Sequence, residues 1–269
     1  MDYHIDEFYQ RITEEIPHGN FHDVIPLHLR NDITWDEVLQ KVPQMHRGWY
    51  ELSRISSKDR IEFTYDHWDL TLAYNPKLEQ CLKAFFGSLD DIGIFLVQKS
   101  WEDPFEAHMV YSISGNSGFY RGGLPIEETS LLTLQKCFSK YILPADYLAF
   151  LQLHDGFWKT TDCTGIVKSA HLPEKYEKFQ ALLAEEPSLS TSKGEPVDPK
   201  SLIPFYESFG MPYYQCFWGE WYPEQEMGNV YYSSATKTIS NVKSEDPISE
   251  TLAFPTFNDW LAFYLERVE

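Results

Sequence analysis

The chain has 269 residues, 43% of them hydrophobic and 16% aromatic, which is enough apolar surface for a large folded core and excludes a disordered chain. Its 41 acidic and 22 basic residues give a formal net charge of −19, a surface that repels phosphate backbones and argues against nucleic-acid binding. No run approaches the ~20 apolar residues of a membrane span, the Met1–Glu7 opening is acidic and not a signal peptide, and four scattered cysteines without a C-x-x-C pair read as free buried thiols, so a cytoplasmic protein is expected.

Ile5, Phe8, Ile12 and Ile16 recur at helical spacing and predict an opening helix that ends before Pro17. His18, His22, Asp23 and His28 follow, but Gly19, Asn20 and Pro26 break any helix that would aim them at one zinc ion, and a surface loop is the simpler reading. Thr34-Trp35-Asp36-Glu37 is a capping box at the head of a short helix with the stripe Trp35, Val38, Leu39, Val42. From Arg60 to Tyr74 the apolar residues alternate, which predicts a β-hairpin turning near Asp66-His67. Leu78, Cys81, Leu82 and Phe85 mark a helix over about Lys77–Phe86 that Gly87 ends. Ile92–Val97 is a continuous apolar run suited to a central strand, and Met109, Tyr111 and Ile113 alternate in the next. Gly115-Asn116-Ser117-Gly118 turns the chain back to Phe119-Tyr120; it lacks the Gly-Lys-Ser/Thr ending of a phosphate loop. Arg121–Pro125 reads as a hinge.

The second half predicts helices over about Thr129–Lys140, Pro144–His154 and Pro173–Leu183, with a strand near Thr164–Ser169 between the last two. Glu186–Lys200, rich in Pro, Ser, Gly and charge, predicts an exposed loop. Strands follow at Leu202–Tyr206, Tyr213–Trp218 and Asn229–Ser233. Thr256 caps a closing helix with Asp259 three residues on, and Phe257, Trp260, Leu261, Tyr264 and Leu265 form its apolar face.

The densest block is Leu143-Pro144-Ala145-Asp146-Tyr147-Leu148-Ala149-Phe150-Leu151-Gln152-Leu153-His154-Asp155-Gly156-Phe157. Pro144 and Asp146 suit a first helical turn, and Gly156 suits the left-handed exit. This block resembles the signature of the SUKH superfamily, which includes cell-wall-assembly regulators and bacterial toxin-immunity proteins. Two later segments fit the same family order: Leu202-Ile203-Pro204-Phe205 with Gly210, and Gly228-Asn229-Val230-Tyr231-Tyr232 with Phe257-Asn258-Asp259-Trp260-Leu261. The resemblance covers about the last half of the chain. It implies an α+β domain whose mixed or antiparallel sheet is flanked by helices, and a role in binding a protein partner, not in catalysis. The expected organisation is two α+β units, residues 1–123 of a type with no resemblance and residues 124–269 SUKH-like.

Trp218-Gly219-Glu220-Trp221-Tyr222-Pro223-Glu224-Gln225-Glu226 concentrates aromatics and acids. Tryptophan faces hold sugar rings and paired carboxylates cleave between them, so a carbohydrate hydrolase using Glu220 with Glu224 or Glu226 is the competing reading. A strand end followed by a solvated acidic loop is the plainer one, and Gly219 separates the strand from the acid that the SUKH resemblance would place there. His154-Asp155 and Asp162-Cys163 allow a Cys–His dyad on paper, but no third, orienting residue is identifiable and a helix cap with a buried thiol explains them. The expectation is therefore a non-enzymatic acidic module, immunity-like or regulatory, with no cofactor, no metal and no catalytic residue. It binds a basic protein partner through a rim of Asp155, Trp158, Glu220, Trp221 and Glu224; a structural scaffold is the third reading.

Overall fold

The structure, a computed structural model, describes residues 1–162, 164–185, 189–208, 213–221, 227–240 and 252–266. In chain order the helices are α1 (Tyr3–Phe8), α2 (Trp35–Lys41), α3 (Arg47–Leu52), α4 (Ser57–Thr71), α5 (Pro76–Gly87), α6 (Glu128–Cys137), α7 (Ala145–Leu151), α8 (Leu172–Ala184) and α9 (Phe257–Leu265). The strands are β1 (Asp23–Pro26), β2 (Leu89–Gln98), β3 (Glu106–Ile113), β4 (Phe119–Gly122), β5 (Phe157–Lys159), β6 (Gly165–Ile166), β7 (Ser190–Thr191), β8 (Leu202–Glu207), β9 (Tyr213–Trp218), β10 (Asn229–Ser233) and β11 (Thr238–Ile239). The fold is α+β. It divides into two compact units, Met1–Trp68 with Lys83–Leu124 and Phe157–Thr160, and Asp69–Leu82 with Pro125–Gly156 and Thr161–Glu269. The chain passes between the units after Leu124, within α4 and α5, each one continuous helix, and on either side of β5, so neither unit is a single contiguous segment such as 1–123 or 124–269. Among the described residues no helix is long and apolar enough to cross a membrane.

The first unit is an antiparallel sheet in the order β1-β2-β3-β4-β5. Ile5 and Tyr9 pack on one face against Phe95, Val97, Val110 and Phe119. On the other face Trp68 meets Phe86, Tyr111 and Phe157 ring to edge, Phe86 meets Tyr111 the same way, and Phe85 packs tilted against Tyr111. The sheet is thus covered on both sides, which is why β2 is an unbroken apolar run and not an alternating one.

Three expectations in this unit are corrected. The segment Arg60–Tyr74 is no hairpin; most of it is the helix α4, with Arg60, Thr64 and Trp68 buried at i, i+4, i+8. Its alternation arises because apolar residues occupy both helix faces: Phe63 and Leu70 are 62% and 85% exposed. The opening helix stops at Phe8, not before Pro17. Ile12 N–H donates to the Phe21 carbonyl and Asn20 N–H to that of Gln10, so loop pairing takes the groups a longer helix would use. The stretch read as a surface loop around His22 and His28 contains β1, an edge strand on β2, which Pro26 closes where no further amide is needed.

His28 follows β1 and is buried beside Ile94. Its Nδ1–H donates to the Ile94 carbonyl at 3.2 Å, which leaves Nε2 unprotonated, buried and without a partner among the described residues. Burial holds the imidazole below its ordinary pKa, and the Arg60 charge pushes the same way against Asp91. An unfolded histidine takes its proton near pH ~6.5, so the folded state keeps its full stability above that pH and loses it as pH falls toward the lowered folded value. Urea unfolding at about pH 7 and about pH 5 is expected to show a smaller loss on acidification in His28→Gln than in the parent chain. Equal losses would assign the acid sensitivity to another group.

The second unit has a mixed sheet in the order β6-β8-β9-β10-β11-β7, antiparallel except for the β11–β7 pair. Along β9, Tyr214, Cys216 and Trp218 face a core with Phe179 and Leu183 of α8, while Phe217 faces Tyr147 of α7 and Phe257 of α9. Cys81, on α5, reaches the Ala262 carbonyl of α9. Cys81, Cys137 and Cys216 are free; Cys137 is exposed, against the expectation of buried thiols, because it ends α6 on the solvent side. The segment expected as an exposed loop is partly structured: Leu189 and Val197 are buried and β7 pairs with β11, leaving residues 192–196 exposed, while residues 186–188 lie outside the described set, as does Gly210. The strand expected near Thr164–Ser169 is only Gly165–Ile166, followed by a single 3-10 turn.

Candidate protein-interaction site

The motif block that carried the family resemblance is core. Leu143, Tyr147, Phe150, Leu151 and Leu153 are all buried, and Gly156 adopts φ +91° at the helix exit as its position required. Asp146 is buried too. Its carboxylate accepts from Tyr147 N–H at 2.9 Å and from Asn258 N–H at 2.8 Å, so it pins α7 to the first turn of α9. A block that does this work holds the unit together.

The surface that does present chemistry lies where β9 ends. Trp218 N–H donates to the Gly228 carbonyl, Trp221 N–H to the Trp218 carbonyl and Gly228 N–H to the Trp221 carbonyl, a tight turn that folds Trp221 back over the start of β10. The half-buried Trp221 ring lies against Gly228, where a Cβ would come within 2.3 Å of it. Gly219 does the same for Tyr141, whose ring would meet a Cβ at 2.5 Å. Glycine at both positions lets the rings sit directly on the backbone.

Around this turn the exposed Glu220 accepts from Trp218 Nε1 at 3.3 Å and from Asp198 N–H at 3.4 Å, both on Oε2. Its Oε1 has no donor among the described residues. Tyr141 and Tyr176 both donate to the Lys200 carbonyl, at 2.7 and 2.9 Å, and burial followed by the neighbouring Tyr141 and Asp198 raises the Tyr176 phenol. The result is a patch of half-buried aromatics, Tyr141, Tyr176 and Trp221, edged by Glu220 and Asp198. Such a surface offers anchors of fixed rotamer beside carboxylates, a combination suited to cationic, partly apolar side chains.

Of the residues expected at a rim, Glu220 and Trp221 come together here. Asp155 stands at the α7 exit, half-buried, and accepts from the Ser169 N–H and hydroxyl, each at 2.6 Å. Burial raises its carboxyl against those bonds. Trp158 belongs to the first unit, on β5, where it pairs with Arg121 and stacks on its guanidinium at 4.8 Å. Glu224, like Glu226 and Cys163, lies outside the described residues, so neither the carboxylate pair of a hydrolase nor a Cys–His dyad has a measured geometry. Among the described residues no group of three or more His, Cys, Asp or Glu could hold a metal.

Tyr141, Tyr176 and Asp198 were not singled out in the sequence. They lie far along the chain from Glu220, in a loop, a helix and a turn, and only the pairing of Ser201 with Gly219 brings them beside it. No family model, no curated protein and no solved structure matches this chain.

Proposed function

We propose that the chain is a SUKH-like, non-enzymatic interaction module, immunity-like or regulatory, that binds a basic protein partner through the Trp218–Trp221 turn and needs no cofactor. The observation that carries this reading is the turn itself, with an exposed carboxylate and a half-exposed tryptophan held side by side on a sheet end. The order of α7, the β8–β9–β10 strands and α9, joined by the Asp146–Asn258 bond, supports the family resemblance. The net charge of −19 supports a basic partner.

The test is binding kinetics against a basic protein recovered with the whole chain as bait. Surface charges are screened beyond about 8 Å at physiological salt, so steering acts on association. Association is expected to slow as salt rises and to slow again in Glu220→Lys. Trp221→Ala is expected to speed dissociation about 30-fold, the equivalent of a hot spot of about 2 kcal/mol. A partner that is acidic, or association indifferent to salt and to Glu220→Lys, defeats the proposal. Loss of sugar cleavage in Glu220→Gln with partner binding intact would support the hydrolase reading instead.

A further inference from the structure

We infer that residues 3–29 form an acid-released cover on one face of the first unit's sheet, held shut by two buried imidazoles, His28 and His108, and pivoting on Asp2. The cover consists of α1, β1 and the 3-10 turn Leu27–Leu29, and its Ile5, Tyr9 and Phe21 pack on Phe95, Val97, Val110 and Phe119 of the sheet. Besides that packing and the β1–β2 ladder, two histidine contacts tie it down. At its end, His28 Nδ1–H donates to the Ile94 carbonyl of β2 at 3.2 Å. After α1, the Tyr9 hydroxyl meets Nδ1 of His108 on β3 at 3.0 Å.

Both contacts require a neutral ring. A proton on His28 goes to Nε2, which is buried and has no partner among the described residues. At His108 the direction of the bond decides. Arg121 can only donate, and it bonds the Tyr9 oxygen; the buried phenol therefore gives its hydrogen to His108 Nδ1, leaving Nε2–H toward Glu106 at 3.7 Å. An imidazolium carries hydrogen on both nitrogens, so protonation sets hydrogen against hydrogen at Tyr9. The charges facing the two rings are few. Arg60 of α4 and the Met1 ammonium oppose a charge on His28, and Asp91 of β2 favours it while paired to Arg60 at 2.6 Å. Arg121 opposes a charge on His108, and Glu106, half exposed and screened by water, favours it.

The pivot responds to a different pH. Asp2 is buried, and against the burial that would raise its carboxyl, bonds from His4 and from Gly118 N–H hold it below its ordinary value. That anchor is present above the unfolded carboxyl's pKa of about 3.9 and is lost only as pH falls through the lowered folded value. The imidazole contacts weaken earlier, once pH drops below about 6.5, where an unfolded histidine takes its proton. Each imidazole then raises the opening equilibrium by up to about tenfold per pH unit. The surface that opening uncovers is the apolar one of Phe95, Val97, Val110 and Phe119.

The experiment is amide hydrogen exchange of the whole chain at about pH 7, 6 and 5, with rates corrected for the intrinsic pH dependence of exchange. Protection in α1 and β1 is expected to fall at least about tenfold between pH 6 and pH 5, while amides of β3 keep theirs. His28→Gln and His108→Gln are each expected to show a shallower fall. A cover whose protection does not change with pH overturns the inference, as does a slope that both variants retain. Equal loss in β3 overturns it as well, since the whole unit would then be unfolding. A variant that fails to fold leaves the parent's ring nitrogens to decide. Their NMR signals at about pH 7 are expected to show two neutral rings of opposite tautomer, Nδ1–H for His28 and Nε2–H for His108. Either tautomer reversed, or either ring charged at that pH, overturns the inference.

Discussion

Trp68→Ala is expected to cost about 4 kcal/mol of unfolding free energy, whereas Leu70→Ala, two residues away, is expected to cost less than about 0.5 kcal/mol. The Trp68 ring is almost wholly buried, edge-on to Phe86, Tyr111 and Phe157, and its Nε1–H is satisfied by the Tyr111 hydroxyl. Truncation removes the ring, leaves a cavity that rigid neighbours fill poorly, and leaves Tyr111 without its donor. Leu70 touches little and loses little. The pair of substitutions discriminates sharply between helix and hairpin. In a strand, residues 68 and 70 share a face and would be buried or exposed together; on a helix they lie about 200° apart. Urea or thermal unfolding of the two variants, at equal m-values, reads the difference directly. Comparable losses at both positions would refute the helix.

Asp146→Ala is expected to destabilise the second unit by about 3 kcal/mol. The carboxylate is buried and accepts two backbone amides, one of them from Asn258, 112 residues away in sequence. Removing it deletes two charge-assisted bonds, unpins the N-terminus of α9 and leaves the Asn258 amide buried without an acceptor. Thr256→Ala provides the scale. Thr256 is the N-cap of the same helix, accepting from Asp259 N–H at 3.0 Å, and a lost cap costs about 1 kcal/mol. If Asp146→Ala costs no more than Thr256→Ala, the carboxylate is not the joint between α7 and α9. Because the buried signature residues act through stability, their loss should weaken partner binding only in proportion to the fraction unfolded, while Trp221→Ala, although its ring also packs against the core of the second unit, should weaken binding by more than its effect on stability accounts for.

What the sequence determined by itself is what local physics determines. The Thr34–Glu37 capping box and the Thr256 cap form as read, since donor, acceptor and turn lie within four residues. Gly156 takes the left-handed exit that its place after α7 called for. The strands β8, β9 and β10 and the face of α9 follow from periodicity, because Trp260, Leu261, Tyr264 and Leu265 have to be buried together. The aromatic and acidic turn at Glu220-Trp221 was legible for the same reason, being contiguous. Tertiary structure decided the rest. Whether Arg60–Tyr74 became helix or hairpin depended on Asp91 and Tyr111 receiving Arg60 and Trp68, and a segment with apolar residues on both faces carries no period strong enough to choose for itself. The β1 edge exists only because β2 offers it a ladder. Asp155 looked like an exposed acid until Ser169 closed over it, and Tyr141, Tyr176 and Asp198 joined Glu220 only when β8 paired with β9. Local preferences are worth tenths of a kcal/mol per residue, whereas burying a ring or pairing a buried charge is worth several kcal/mol, so wherever the two disagreed the long-range contact prevailed.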